Sequence, residues 1–143
     1  MKDIAQNKKA YHDYEILDKY EAGIGLVGSE LKSIRNGKVS LKESYVSFYH
    51  GQALLKGMNI AQYKEATYNN HDETRDRVLL LHKHEINKLR EKCKLQGLTV
   101  VPLKLYFKDS LVKVEIGLAR GKSLYDKRQT DKQRTMDRMQ NKQ

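Results

Sequence analysis

Cysteine, proline and long apolar runs are all scarce in this sequence. The single cysteine, Cys93, excludes an intramolecular disulfide and any zinc knuckle built from several cysteines. The longest uninterrupted apolar run covers only residues 78–81, whereas a membrane-spanning helix needs about 20 apolar residues. Residues 1–10 are polar and lack the apolar centre of a secretory signal. We therefore expect a soluble, cytoplasmic protein that does not enter a membrane.

Catalytic motifs are also missing. The sequence has no Gly-rich phosphate loop, no nucleophile elbow and no His-Glu-x-x-His. His82 and His84 could share a strand face, and His71 and Cys93 could approach them, but no known metal-ligand spacing supports this. Exposed or capping histidines are the plainer interpretation. We predict no catalytic residues, no metal and no cofactor.

Positive charge is abundant and unevenly distributed. The net charge is +10, and half of it lies in residues 120–143, which contain eight basic and three acidic side chains. A small protein this basic typically binds a polyanion such as RNA or DNA. We predict two parts: a folded RNA-binding body over residues 1–119 and a basic tail over residues 120–143.

The body is predicted to consist mainly of strands. We expect strands at 14–17 and 22–27 around a turn at Lys19–Tyr20, a hairpin of 44–49 and 52–56, a buried strand at 78–81, and long strands at 98–107 and 111–119. Pro102 requires an edge or a bulge in its strand. Helices are expected at 30–36, with Ser29 as N-cap and Gly37 as stop, and at 84–96, ended by Gly97. Without βαβ alternation, about six strands favour a closed antiparallel barrel with helices packed outside it.

Two segments of the body have residue types suited to RNA. In residues 7–12, Lys8 and Lys9 can neutralise phosphates, and Tyr11 or His12 can stack on a base. In residues 32–38, Lys32 and Arg35 are three apart on one helix face and Lys38 follows. Taken alone, the first segment is better explained as a solvated N-terminal arm. The second is also weak alone, because helices at domain surfaces often have such residues.

The tail carries a third basic segment. Lys127, Arg134 and Arg138 would share one face of a helix, but no apolar face would hold such a helix on the body. We predict a tail that is disordered when free and helical against a polyanion. A purely solubilising tail is the alternative.

Several blocks of sequence occur together in a characteristic order. They are Asn-Lys-Lys-Ala-Tyr-His-Asp-Tyr (7–14), Glu-Ala-Gly (21–23), Glu-Leu-Lys-Ser-Ile-Arg-Asn-Gly-Lys (30–38), Ser-Tyr-Val (44–46), Arg-Asp-Arg followed by Leu-Leu-Leu-His-Lys (75–83), Val-Lys-Val-Glu-Ile-Gly-Leu-Ala-Arg-Gly-Lys (112–122) and Tyr-Asp-Lys-Arg (125–128). With these blocks the chain closely resembles the SsrA-binding protein (small protein B, SmpB) family from about residue 6 to 130.

The resemblance implies a fold, a function and partners. The family fold is an OB-type β-barrel with flanking helices. Its members bind the tRNA-like domain of transfer-messenger RNA (tmRNA) and deliver it to stalled ribosomes for trans-translation. They work beside elongation factor Tu, and they are not enzymes. The implied partners here are tmRNA, the small-subunit decoding region with its 16S rRNA, and elongation factor Tu, with the protein itself a monomer.

The resemblance also implies site residues. The family's RNA-binding positions match Asn7, Glu21, Leu80 and Lys113. The basic segments and matching blocks add Lys8, Lys9, His12, Tyr14, Gly23, Lys32, Arg35, Arg75 and Arg77. The family tail occupies the empty message channel; its matching positions are Gly121, Lys122, Tyr125, Asp126, Lys127 and Arg128, and the tail's own pattern adds Arg134 and Arg138.

Two of these residues have more than one possible role. A carboxylate is repelled by phosphate, so Glu21 would accept hydrogen bonds from base amines or a 2′-hydroxyl, or would only orient a neighbouring lysine. Leu80 would either touch RNA or belong to the core. The chain departs from the family pattern at Glu73, Val78, His84 and Ser123, where positive charge or loop rigidity is lost near RNA-facing segments.

Two other classes of function compete with this one. A general single-strand-binding OB module would share the barrel and the charge. An enzyme would be a ribonuclease, using His12 and Lys113 as acid and base, or a hydrolase of peptidyl-tRNA. Nothing in the sequence brings His12 and Lys113 together, and the Gly-Gly-Gln of hydrolytic release factors is missing because the chain has no Gly-Gly pair.

Overall fold

The computed structural model describes residues 2–62 and 71–122. In chain order the elements are β1 (Lys2–Gln6), α1 (Lys8–Asp13), β2 (Tyr14–Ile24), α2 (Gly28–Arg35), β3 (Val39–Ser40), β4 (Tyr45–Tyr49), β5 (Gln52–Lys56), β6 (Asn59–Ile60), β7 (Arg77–Leu80), α3 (Lys83–Gln96), β8 (Thr99–Lys108) and β9 (Leu111–Gly121). The described part of the chain is therefore mainly β with three helices.

Six antiparallel strands form a closed ring. The order β8-β4-β5-β7-β2-β9 returns to β8, because β8 pairs with β4 through Val100 and with β9 over most of its length. β1 adds to the other half of β8, and β3 and β6 pair separately. The predicted barrel of about six strands is confirmed.

The core lies inside the ring and follows strand alternation. In β9, Val112, Val114, Ile116 and Leu118 are buried, and Lys113 and Glu115 lie on the opposite face. α3 covers part of the ring with Ile86 and Leu89, both buried. Burial of these four alternate side chains removes much apolar surface from water and fixes the register of the neighbouring strands.

Several local predictions are confirmed. β4 and β5 form the hairpin around His50-Gly51, α3 ends at Gly97 in the left-handed conformation, and the β8–β9 register shifts between Pro102 and Lys104, as a bulge at the proline requires. Gly37 follows α2 with a φ of 72°.

Two local predictions are wrong. No turn interrupts residues 19–20: β2 is one strand that pairs with β9 along its whole length and has a register shift between Ile16 and Asp18. Ser29 is not the N-cap of α2. That position belongs to Val27, whose N–H donates to Glu30 Oε1 at 2.9 Å, and the Ser29 hydroxyl is hydrogen-bonded to His71 Nδ1 at 2.8 Å.

Candidate nucleic-acid interface

One row of residues crosses the outer face of the sheet and joins five strands. Leu80 of β7 is opposite Gly23 of β2, and Gly23 is opposite Lys113 of β9. Lys113 is in turn opposite Tyr106 of β8, and Tyr106 is opposite Asp3 of β1. Neighbouring strands lie about 4.8 Å apart, so Leu80 and Lys113 are separated by about 10 Å. The register brings three of the predicted positions, Leu80, Gly23 and Lys113, side by side.

Leu80 is a surface residue. Its side chain is 63% exposed, whereas its neighbour Leu79 is 2% exposed and belongs to the core. A Cβ on Gly23 would lie 3.2 Å from the Cβ of Leu80, so the absence of a side chain at Gly23 leaves room for Leu80 to lie close to β2. The predicted buried strand at 78–81 is thus buried on one face only.

Glu21 lies two residues from Gly23 on the same outer face and has a fixed orientation. The Tyr106 hydroxyl donates to its Oε2 at 2.5 Å, and Lys108 Nζ lies 3.3 Å from its Oε1. The hydrogen bond from Tyr106, with help from Lys108 and the charge of Lys113, lowers the pKa of Glu21. Burial and the bond to Glu21 raise the pKa of Tyr106. The carboxylate is therefore held ionised, as a hydrogen-bond acceptor, between two lysines.

The four predicted residues in and beside α1 differ in burial and in their partners. They are Asn7, Lys8, Lys9 and His12. Asn7 is buried as the N-cap: its Oδ1 accepts from the Ala10 N–H at 3.3 Å, and its Nδ2 donates to the Pro102 carbonyl at 2.9 Å. Lys8 is exposed, and Lys9 forms an ion pair with Glu43 that raises the lysine pKa. His12 is partly buried, with Nδ1 2.9 Å from Asp13 Oδ1. In this structure Asn7 holds α1 on the barrel rather than facing solvent.

Tyr14 follows α1 at the start of β2. It is partly buried and packs against a small apolar cluster of Ala10, Val101, Leu103 and Ala119. α1 therefore rests on its own patch of packed side chains beside β8 and β9.

Arg75 and Arg77 converge on one buried carboxylate, that of Glu30 in α2. Arg77 and Glu30 are both 0% exposed, and Arg77 Nε donates to Glu30 Oε2 at 2.6 Å and Nη1 to the Met58 carbonyl at 2.6 Å. Arg75, whose side chain is 32% exposed, donates from Nη2 to Glu30 Oε1 at 2.5 Å. Burial alone would raise the pKa of Glu30, but the bonds from Arg75, the Val27 N–H and Arg77 outweigh it and keep that pKa below its ordinary value.

This cluster is a buried ion-pair network beneath the surface. Arg77 has no surface to offer a ligand, because its guanidinium is enclosed by α2, Met58 and the carbonyls of Asp72 and Glu73. Arg75 keeps a partly exposed face beside β7. The pair fixes α2 to the segment that leads into β7.

Lys32 and Arg35 are exposed on α2, and Lys38 follows them. The helix is held against the barrel by buried Ile34 and Glu30 on its other side. This leaves a basic helix face directed outward.

Only the start of the predicted tail lies within the described residues. Gly121 is the last residue of β9, opposite Tyr14, and the Lys122 N–H donates to the Asp13 carbonyl at 2.9 Å while its Nζ lies 3.3 Å from the Tyr11 carbonyl. Tyr125, Asp126, Lys127, Arg128, Arg134 and Arg138 lie outside the described residues.

Sequence reasoning missed Tyr106, Lys108 and Glu30. Tyr106 stands in a β-rich run, where an aromatic residue indicates a packed strand and nothing more. Glu30 stands at the third helical position, which indicates a capping residue. Residues of β8 that are paired with outward-facing residues of β9 also face outward, so the alternation of β9 is a possible signal. The bulge at Pro102 shifts the pairing by one residue, and the outward positions of β8 therefore cannot be counted from the sequence.

The described residues contain no group of three or more His, Cys, Asp or Glu arranged to hold a metal ion. His71 is buried between Ser29 and the Ile60 carbonyl, and the rings of His82 and His84 stack with centroids 5.6 Å apart. Over the same described segments, no helix combines the length and apolarity needed to cross a membrane.

The chain is similar to known proteins in sequence and in structure. A family model described as SmpB protein matches residues 4–143. The SsrA-binding protein of Syntrophobacter fumaroxidans is 53% identical over 94% of this chain and 84% of its own length, and that of Oleidesulfovibrio alaskensis is 56% identical over 94% and 87%. A chain from a structure described as "tmRNA-SmpB: a journey to the center of the bacterial ribosome" superposes with a TM-score of 0.70 at 50% identity, covering 84% of this chain and 85% of that one.

These matches extend over most of the sequence, and all of them are to proteins named SmpB or SsrA-binding protein. The family model includes the strands that carry Glu21, Leu80 and Lys113 as well as the segment beyond Lys122. This chain belongs to the SmpB protein family.

Proposed function

We propose that this protein binds the tRNA-like domain of tmRNA through the outer face of its barrel and delivers that RNA to stalled ribosomes for trans-translation. The observation that carries the proposal is the identity of 53–56% to proteins named SsrA-binding protein over 94% of the chain. The convergence of Glu21, Leu80 and Lys113 on one face supports it independently, since these residues are remote in sequence.

Each residue of this face has a distinct chemical task in the proposed complex. Lys113 meets a phosphate. Glu21, held ionised by Tyr106, accepts from base amines or a ribose 2′-hydroxyl, a group that distinguishes RNA from DNA. Leu80, being 63% exposed, contacts a base or ribose rather than the core.

The helices and the partly buried arginine contribute at the edges of this surface. Lys8, Lys32 and Arg35 neutralise phosphates on the exposed sides of α1 and α2. Arg75 does the same from its exposed face, and Arg77 acts indirectly by keeping Glu30 and Arg75 in place.

The predicted tail, residues 120–143, begins within β9, and the part that follows Lys122 is proposed to enter the empty message channel of the small subunit. Tyr125 would stack on an rRNA base near the decoding region, and Lys127, Arg128, Arg134 and Arg138 would neutralise phosphates. The similar solved structure is described as one of tmRNA and SmpB in the bacterial ribosome, which supports tmRNA and the ribosome as partners. Elongation factor Tu is proposed as the third participant in delivery.

We further propose that the protein is a cytoplasmic, monomeric adaptor and not an enzyme. The lack of a Gly-Gly pair, and hence of Gly-Gly-Gln, supports this for peptidyl-tRNA hydrolysis. Incubation of the purified protein with labelled RNA and with peptidyl-tRNA is expected to give no turnover; cleavage of either substrate would contradict an adaptor role.

The binding proposal is tested by titrating the full chain against the tRNA-like domain of tmRNA at low and moderate salt, with excess ordinary tRNA as competitor. Charge-driven binding weakens steeply as salt rises, whereas recognition of shape and base edges is less affected. We expect tight binding that survives both salt and competitor. Binding that collapses with salt and is displaced by ordinary tRNA would instead indicate a general single-strand-binding module.

A further inference from the structure

A cleft lies between α1 and the outer face of the barrel, and we call it the Tyr11 cleft. Its volume is about 280 Å³, and its walls include Lys8, Tyr11, Lys19, Leu103, Lys104 and Glu115. Small-ligand pockets range upward from about 300 Å³, so the cleft lies at the small end of that range and suits one base of an RNA strand better than a larger free ligand.

Tyr11 provides an aromatic wall. Its side chain is 44% exposed, although the preceding residue, Ala10, is buried and anchors α1 on β8. The ring is therefore presented from a rigid element, which suits stacking of an unpaired base. Lys19 Nζ lies 5.7 Å from the ring centroid, near the outer limit of about 6 Å for a cation–π contact, so a cationic side chain stands beside the aromatic wall.

Three lysines surround the cleft and two carboxylates moderate their charge. Lys8, Lys19 and Lys104 contribute positive charge, and Lys104 Nζ lies 5.4 Å from the Tyr106 ring centroid. Asp3 accepts a hydrogen bond from Gln6 Nε2 at 3.2 Å, and Glu115 Oε1 lies 3.9 Å from Lys19 Nζ. One net positive charge remains, with carboxylate oxygens available to base amines or a 2′-hydroxyl.

The cleft is continuous with the surface around Glu21. A second row on the outer face runs from Glu21 to Glu115, Lys104 and Gln6, parallel to the row that contains Lys113. A strand of RNA that leaves Lys113 and Glu21 therefore reaches the Tyr11 cleft within two strand spacings, about 10 Å.

We propose that the Tyr11 cleft is a nucleotide subsite of this protein: it holds one unpaired nucleotide of the bound RNA, with the base stacked on Tyr11 and the flanking phosphates near Lys19 and Lys104. This inference rests on the proposed binding of tmRNA, and it extends the interface beyond the residues assigned above.

The test compares substitutions at two exposed tyrosines, using full-length protein and the fluorescently labelled tRNA-like domain of tmRNA. Tyr11→Leu is expected to weaken binding on the order of tenfold, since a base stacked on an aromatic ring is lost. Tyr11→Phe keeps the ring and is expected to bind within about twofold of the unsubstituted protein. Tyr49→Leu is the matched control: Tyr49 is 62% exposed and is not one of the described residues that line the cleft.

Salt dependence separates stacking from charge. Lys104→Gln is expected to reduce the slope of log affinity against log salt by about one, because one phosphate contact is lost. Tyr11→Leu is expected to leave that slope unchanged. The midpoint of thermal unfolding, measured for each variant, shows whether the fold is retained.

The subsite is refuted if folded Tyr11→Leu binds like the unsubstituted protein, or if Tyr49→Leu weakens binding equally. A different result, in which the unsubstituted protein itself shows no preference for the tRNA-like domain over ordinary tRNA, would contradict the proposed function and not the subsite alone.

Discussion

Tyr106 is a residue whose importance comes from what it does to a neighbour. It is 3% exposed, yet its hydroxyl reaches the Glu21 carboxylate on the outer face. Phenylalanine would keep the ring in place and remove only the hydrogen bond. The effect of losing the hydroxyl can therefore be measured separately from any loss of packing.

Tyr106→Phe is expected to raise the pKa of Glu21 toward its ordinary value and to weaken binding of the tRNA-like domain about fivefold, the equivalent of one hydrogen bond. Titration of the Glu21 carboxyl by NMR and a binding curve measure the two effects. In a Glu21→Gln background the same substitution should change affinity little; a full effect there would mean that Tyr106 acts by another route.

The two arginines on Glu30 should differ in their contribution to stability. Arg77→Met is expected to reduce the free energy of unfolding by about 3–5 kcal/mol, because it removes one partner of a fully buried ion pair. Arg75→Gln should reduce it by much less, since Arg75 is partly exposed and Arg77 remains on Glu30. Urea denaturation of both variants provides the comparison, and equal losses would contradict the different roles given to the two arginines.

At the scale of elements, β2 joins the candidate interface to the barrel. It pairs with β7 on one side and β9 on the other, so Gly23 lies between Leu80 and Lys113. The bare backbone at Gly23 lets Leu80 lie close, and Gly25, just beyond the strand, makes no such close approach to a side chain.

Gly23→Ala is expected to weaken RNA binding several-fold with a small loss of stability, because the new Cβ, 3.2 Å from the Cβ of Leu80, forces that side chain to shift. Gly25→Ala is the matched control, since its Cβ would lie at an ordinary 3.6 Å from the Val78 carbonyl oxygen. If the two variants lost affinity to the same degree, the position of Leu80 would not be the cause.

Elements with strong periodicity could be predicted from the sequence, and elements fixed by distant partners could not. β9 alternates cleanly and α3 has apolar residues at helical spacing, so both were found close to their observed bounds. β2 was divided in two because Asp18, Lys19 and Tyr20 are polar and look like a turn, although pairing with β9 keeps them extended. β1 was missed because its polar sequence becomes a strand only by addition to β8.

The candidate site also has features that could be predicted from the sequence and features that depend on distant partners. Its residue types were visible as separate motifs, and the resemblance named Glu21, Leu80 and Lys113, but their arrangement in neighbouring rows depends on sheet register. Whether Leu80 is core or surface could not be decided from a run of four apolar residues; the structure decides it by placing alternate residues on opposite faces of β7.

At the scale of the whole molecule, the protein divides its charge between a folded body and the residues that follow β9. The strand continues through Arg120 and Gly121, and Lys122 is hydrogen-bonded to Asp13. A truncation designed to remove the tail without disturbing the barrel should therefore begin after Lys122.

Removal of residues 123–143 is expected to leave thermal stability and binding of the tRNA-like domain largely intact and to abolish tagging of proteins on stalled ribosomes. The barrel face binds RNA, whereas the tail is proposed to act in the message channel. A reconstituted tagging reaction and a binding titration on the same preparation test this. Equal loss of both activities would mean that the two roles are not separable.

The two hydrogen bonds of Lys122 have a mechanical consequence. They tie the point where the chain leaves the barrel to the Asp13 and Tyr11 carbonyls, at the end of the same short helix that carries the Tyr11 ring. Tension on the tail would therefore be transmitted directly to this helix and to the cleft beside it. If binding of the tail changes the affinity of the cleft for RNA, then binding of RNA in the cleft must change the affinity of the tail for its own partner by the same factor. RNA held in the cleft would in this way affect the direction in which the chain leaves the barrel.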